Sequence, residues 1–172
     1  SLGYGYTKIS IHDIGPAYAG LLSDTHYDIS KITPAFIYNT VNQPLFPSSG
    51  TRYTASVAVA GLGGTFSFVS TSLEGIWYVP LTRRMSIGLH AQSQFSQPYG
   101  STKALPISER TYLGGEYTIR GFDIRSIGPR DASSGVVLGG SKTLVFNAEY
   151  YINIMGPVRF LLFYDAGQVR DL

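Results

Sequence analysis

Met85-Ser86-Ile87-Gly88-Leu89-His90-Ala91-Gln92-Ser93-Gln94-Phe95-Ser96 decides the fold. Met85, Ile87, Leu89, Ala91 and Phe95 fall on one side of a period of two. Ser86, Gly88, His90, Gln92 and Gln94 fall on the other. That alternation is the mark of an extended strand whose successive side chains point to opposite faces. The run is about twice the usual 5–6 residues of a soluble strand, and it meets the 9–11 or so that a tilted strand needs to cross a bilayer.

The same pattern recurs on both sides of this run. Residues 1–12 place Leu2, Tyr4 and Tyr6 against Gly3, Gly5 and Thr7, with Ile9 and Ile11 continuing. Residues 31–41 oppose Ile32, Phe36 and Tyr38 to Thr33, Ala35 and Asn39, with Pro34 as a strand-weakening interruption. Further alternating runs cover 51–60, 66–79, 142–153 and 158–169. No helical period appears, so the reading is all-β: about seven antiparallel strands. The connections 42–50, 81–84 and 155–157 are short turns; 13–30, 61–65 and 97–141 are longer or glycine-rich. Short turns at one end and long loops at the other are characteristic of a transmembrane β-barrel.

Composition agrees. Charged residues are 14% of the chain, against about a quarter in ordinary globular domains. Tyr 13, Phe 9 and Gly 20 suit apolar sheet faces joined by tight turns. A net charge of +2 with scattered basic residues gives no nucleic-acid footprint. The absence of cysteine excludes disulfides, thiolate metal sites and thiol catalysis. No run of about 18 apolar residues is present, and no signal peptide opens the chain. Ser1-Leu2-Gly3-Tyr4 reads as mid-strand, which puts the natural start upstream.

In the last five strands the ionisable residues Arg52, Glu74, His90, Glu149, Arg159 and Asp165 all fall on the polar set, and the apolar set reads as uncharged. A charge facing lipid near the midplane costs about 2–4 kcal/mol, so the polar set faces a lumen. A soluble sandwich or lipocalin-like barrel, with the apolar set on a core and the charged set in water, is the competing reading. Seven strands would leave two edges unpaired in lipid, which makes the chain part of a larger barrel.

The longest segment without alternation, 97–141, contains Gly114-Gly115-Glu116-Tyr117-Thr118-Ile119-Arg120-Gly121-Phe122. It reads as an ordered loop anchored by Leu113, Tyr117, Ile119 and Phe122. An arginine leaving bulk water on such a loop needs an acidic partner.

Thr118-Ile119-Arg120-Gly121-Phe122, with the glycine pair before it, resembles the signature loop of the outer-membrane assembly insertases. That superfamily spans BamA-type assembly factors, organelle import barrels and two-partner-secretion transporters. Asn42 to Gly50 resembles its periplasmic turn, although Asn39 and Asn42 stand where acidic residues are common. Ile127-Gly128-Pro129 and Gly139-Gly140 are similar to the later part of the loop, and Gly156-Pro157-Val158-Arg159-Phe160 with Phe163-Tyr164-Asp165-Ala166-Gly167 to the strand that follows it. The resemblance implies a C-terminal outer-membrane barrel domain of about sixteen strands, of which residues 1–172 supply part. Upstream periplasmic modules and the other strands lie elsewhere. It implies that loop 97–141 folds into the lumen, with Arg120 meeting Asp165 and Glu149.

The residues support the same pairing. Glu149 and Asp165 lie on the polar face of strands that a short turn makes neighbours. Two carboxylates facing one lumen repel unless a cation sits between them, and a planar guanidinium can bond both. Gly121 is expected to let the backbone approach the wall, and Phe122 to pack beside it. His12, His26 and His90 read as isolated surface or lumen residues. No catalytic residue, metal ligand or cofactor site is assigned. Gly61-Leu62-Gly63-Gly64 precedes no helix and so is not a phosphate loop.

The function implied is a factor of the bacterial outer membrane that folds and inserts β-barrel proteins without nucleotide. Its expected partners are unfolded outer-membrane proteins, outer-membrane lipids and accessory assembly lipoproteins. The alternatives are a polypeptide-secreting pore of the same superfamily and the barrel of a surface lipase.

Overall fold

The computed structural model describes residues 1–12, 26–155 and 158–171. They form one antiparallel sheet of seven strands in simple sequence order: β1 (Leu2–Ser10), β2 (His26–Asn39), β3 (Gly50–Ala60), β4 (Phe68–Pro80), β5 (Met85–Pro98), β6 (Lys142–Met155) and β7 (Val158–Arg170). Five strands have 13 or 14 residues and β3 has 11, and none of the described helices is long and apolar enough to cross a membrane.

The register assigns the faces. His90 lies opposite Ile76 and Asn147, and Asn147 opposite Asp165, so these residues share the inner face. Arg52 joins them through Ile76. One residue along every strand, the parity reverses. Leu73, Leu144, Phe146, Phe160, Leu162 and Tyr164 face outward and are exposed, as a lipid-facing wall requires. At the end that carries the short turns, the outward Trp77 donates its indole N–H to the Tyr53 hydroxyl at 2.7 Å. Tyr38 stacks on Tyr53. Such amphipathic rings suit the boundary between hydrocarbon and water.

Three details depart from the sequence reading. The strand expected at 31–41 begins at His26, because Tyr27 and Ile29 turn inward and pack with Ala60, Phe68 and Leu105. Pro34 stays inside it. The pairing to β3 is interrupted between Ile32 and Ala35 but keeps its register, as expected where a residue cannot donate to the ladder. The outer face of the last five strands is not free of charge: Lys142 and Arg170 lie on it, side by side with Phe95. They stand at the strand ends next to the long loop, where the cost of a lipid-facing cation falls to about 0–1 kcal/mol. Residues 13–25 of the loop expected at 13–30, and residues 156–157 of the turn expected at 155–157, lie outside the described residues.

Residues 99–141 do not hang free. Tyr99 donates its hydroxyl to the Ala60 carbonyl at 2.6 Å. A short 3₁₀ turn, Ile107–Glu109, follows, and four isolated β-bridges then tie the loop to itself. The interior therefore consists of two apolar clusters under the loop. One joins Tyr27, Ile29, Ala60 and Phe68 to Leu105; the other joins Leu113 and Ile119 to Val145.

Candidate functional site

Leu113 and Ile119 are 3% and 6% exposed, and they seat the loop on β6 and β7. Gly167 makes the seat possible. A Cβ there would lie 2.8 Å from a Leu113 methyl and 3.1 Å from one of Ile119. Tyr117 and Phe122, also expected as anchors, are 85% and 57% exposed instead. The Gly115–Ile119 bridge closes a tight turn, with Ile119 at its base against the wall and Tyr117 at its exposed tip.

Ile119 seated on the wall leaves Arg120 directly over the inner face. Its Nε donates to Asp165 Oδ2 at 2.7 Å and its Nη2 to Asp165 Oδ1 at 2.6 Å, a bidentate fork. Its backbone N–H adds a third bond to Asp165 Oδ2 at 3.0 Å. Nη1 donates to Glu149 Oε1 at 2.5 Å, so one side chain joins carboxylates of two neighbouring strands. The guanidinium lies 3.9 Å from the centroid of the Phe163 ring. Hydrogen bonds to Asp165 raise the Arg120 pKa above the ordinary arginine value, against burial, which lowers it. Asp165 is 3% exposed and Glu149 24%, so the first contact is far drier than the second.

The wall holds these groups in turn. Asn147 spends both amide protons, one on Asp165 Oδ1 at 2.8 Å and one on the Thr118 carbonyl at 2.7 Å. Its Oδ1 meets His90 Nδ1 at 2.8 Å. His90 Nε2 faces Glu74 Oε1 at 3.2 Å, and Arg52 reaches Glu74 Oε2 at 3.4 Å. Tyr151 donates its hydroxyl to Glu149 Oε2. A continuous polar girdle thus runs across β3 to β7 and ends on the loop arginine. A cavity of about 250 Å³ lies along it, lined by Glu74, His90, Glu116, Arg120, Asn147 and Glu149 among others.

Of the five residues singled out in the sequence, Arg120, Glu149 and Asp165 are brought together. Gly121 and Phe122 are adjacent but play other parts. A Cβ on Gly121 would meet nothing within 4 Å, so close approach is not its purpose; its φ of +85° is. The ring against the guanidinium is Phe163, not Phe122. His90 is not isolated. Asn147, Phe163, Tyr151 and Glu74 all belong to the constellation; the sequence reading put Glu74 on the polar face without a partner and did not single out the other three. Their only signal was the parity they share with Glu149 and Asp165, since cross-strand register cannot be read from alternation alone. Among the described residues no cluster of three or more His, Asp or Glu could hold a metal ion.

The loop has a second attachment at the opposite side of the sheet. Lys31 Nζ lies 3.0 and 3.1 Å from the two carboxylate oxygens of Glu109, and Tyr27 donates its hydroxyl to Ser108 Oγ at 2.9 Å.

Residues 1–172 match the Omp85 superfamily domain. The outer membrane protein assembly factor BamA of Neisseria meningitidis serogroup B is 28% identical over 141 residues, covering 77% of this chain and 18% of that protein. The mouse sorting and assembly machinery component 50 homolog is 31% identical over 112 residues, covering 64% of this chain and 23% of that one. The crystal structure of BamA from Haemophilus ducreyi lacking POTRA domains 1–3 superposes with a TM-score of 0.75 at 21% identity, over 92% of this chain and 33% of that chain. The chain therefore spans about a fifth of the length of these curated relatives.

Proposed function

The chain belongs to the Omp85 superfamily, and from that premise we propose that it is a central wall segment of a bacterial outer-membrane barrel that folds and inserts other β-barrel proteins. The observation that carries this reading is the Arg120 fork, which joins a lumen-folded loop to two adjacent strands. The arginine performs no bond chemistry. It braces the loop against β6 and β7, so that the wall stays rigid while another part of the barrel opens to a client strand. No nucleotide or cofactor enters the step.

Residues 1–172 belong to one C-terminal barrel domain in this reading, with further strands and periplasmic modules supplied by the rest of the protein. The partners are unfolded outer-membrane proteins, outer-membrane lipids and accessory lipoproteins. Similarity to a bacterial outer membrane protein assembly factor and to a mouse sorting and assembly machinery component supports assembly over secretion of a single passenger.

A charge swap in the full-length protein tests it. Arg120→Glu and Asp165→Arg each impair assembly of heat-modifiable barrel proteins, and the double swap recovers part of it. A silent Arg120→Glu would reduce the loop to a passive plug.

A further inference from the structure

The outward face of β3 to β7 carries two formal charges, both positive, and both in one row. Phe95, Lys142 and Arg170 lie directly opposite one another on β5, β6 and β7. The carboxylates of these strands, Glu74, Glu149 and Asp165, all face the lumen. Neither Lys142 nor Arg170 takes part in an ion pair among the described residues. The adjacent Asp171 is engaged by Arg110 at 3.4 Å. Lys142 Nζ lies 5.3 Å from the centroid of the Phe95 ring, its charge uncompensated by any acid. The contrast with β1 and β2 is direct: there the outward Lys8 stands opposite Asp28.

The row also sits at a defined height. The lowest apolar row on this face is Met85, Ile152 and Phe160. Phe95 lies ten residue steps along β5 from Met85. At about 3.4 Å per residue and a tilt of about 40°, they span about 26 Å along the membrane normal. That equals the apolar band of an outer-membrane barrel, about 25 Å tall. Lys142 and Arg170 therefore stand where the hydrocarbon ends on the long-loop side. Opposed antiparallel residues have Cα atoms about 4.5–5.5 Å apart, close enough for both cations to flank one anion.

We propose that Lys142 and Arg170 form a binding site on the outer wall for the phosphate of an outer-leaflet lipid, whose acyl chains lie over Phe95 and Leu144. The site rests on the barrel orientation proposed above. It holds one phosphorylated lipid against the strands that carry the Arg120 brace on their other side.

The test uses the full-length protein in detergent, with diphosphoryl lipid A as probe and its dephosphorylated form as control. Binding is followed by native mass spectrometry in the wild type and in Lys142→Gln/Arg170→Gln. The double variant binds the phosphorylated probe about thirtyfold more weakly, on the basis of the usual contribution of each basic residue near an anionic surface. Lys142→Arg retains binding, and raised salt weakens it. Unchanged affinity in the double variant, or equal affinity for the dephosphorylated lipid, overturns the site. Heat-modifiability and outer-membrane fractionation of the same variants report on the barrel reading separately. A barrel that folds and localises but ignores the phosphate refutes only the site.

Discussion

One loop is fastened to the inner wall at two places, and the two fastenings differ in kind. On the β6–β7 side Arg120 makes a bidentate fork to Asp165, a further bond to Glu149 and a stack on Phe163. On the β2 side Lys31 meets Glu109 with no third partner among the described residues, and the two side chains are 34% and 20% exposed. A guanidinium has a rigid planar fork and is weakly hydrated, whereas an ammonium is a strongly hydrated point charge on a flexible stem. The first attachment sets the loop's geometry, and the second adds modest electrostatic attraction. A dry carboxylate is also harder to abandon than a wet one, which makes Asp165 the residue on which the difference turns.

Removing that residue breaks the comparison most severely. Asp165→Ala leaves Arg120 partly buried with only Glu149 to balance it, and also strands one Asn147 amide proton. The expected loss is about 3–5 kcal/mol of local stability, less where water enters the lumen. Limited proteolysis of loop 97–141 in membranes checks it, and a loop as resistant as wild type would contradict it. Arg120→Lys sharpens the point. It keeps the charge but loses the fork, so loop protection falls toward that of Asp165→Ala instead of remaining at the wild-type level.

Glycines separate steric from conformational demands next. A Cβ on Gly114 would fall 2.2 Å from the Asp123 carbonyl oxygen at a φ of +106°, whereas one on Gly121 meets nothing at +85°. Gly121→Ala is therefore expected to cost about 1 kcal/mol of left-handed backbone strain, and Gly114→Ala clearly more. Hydrogen exchange of the Leu113 and Ile127 amides, which bond each other's carbonyls, reads the difference. Equal effects would mean that the Gly114 turn yields easily.

At the weaker attachment, Glu109→Gln is expected to cost about 0–1 kcal/mol and to leave loop protection nearly unchanged. A loss comparable to Asp165→Ala would erase the distinction between the two sides.

The smallest effect is confined to the loop tip. Asp131 accepts bonds from the Ser133 hydroxyl and from the Ser134 N–H and hydroxyl, which lower its pKa from 3.8 to about 2. A carboxyl whose folded pKa is depressed stabilises the fold above its unfolded pKa, and that contribution disappears as pH falls through the folded value. The Ser133 and Ser134 amide resonances should thus titrate with a midpoint near 2. A midpoint at 3.8 would show that the turn does not favour the carboxylate.

Alternation alone was enough to find all seven strands and the inward charges, though not the start of β2 nor the outward Lys142 and Arg170. The period of two is a local property, and each strand from Arg52 to Asp165 repeats it without help from its neighbours. Both carboxylates were legible for the same reason, since Glu149 and Asp165 fall on the polar set and a short turn makes their strands adjacent; Arg120, on a loop without alternation, was legible through its motif. The sequence could not rank the partners of Arg120. The choice of Phe163 over Phe122, of Gly167 over Gly121 as the site of close approach, and of Asn147 as the clamp between loop and wall depends on register. Register is a relation between residues far apart in the chain, and a slip of one residue would reverse every face. The same is true of Lys142 and Arg170. Each is an ordinary strand-end cation in the sequence, and only the ladder sets them side by side, facing outward, at the height where hydrocarbon gives way to water.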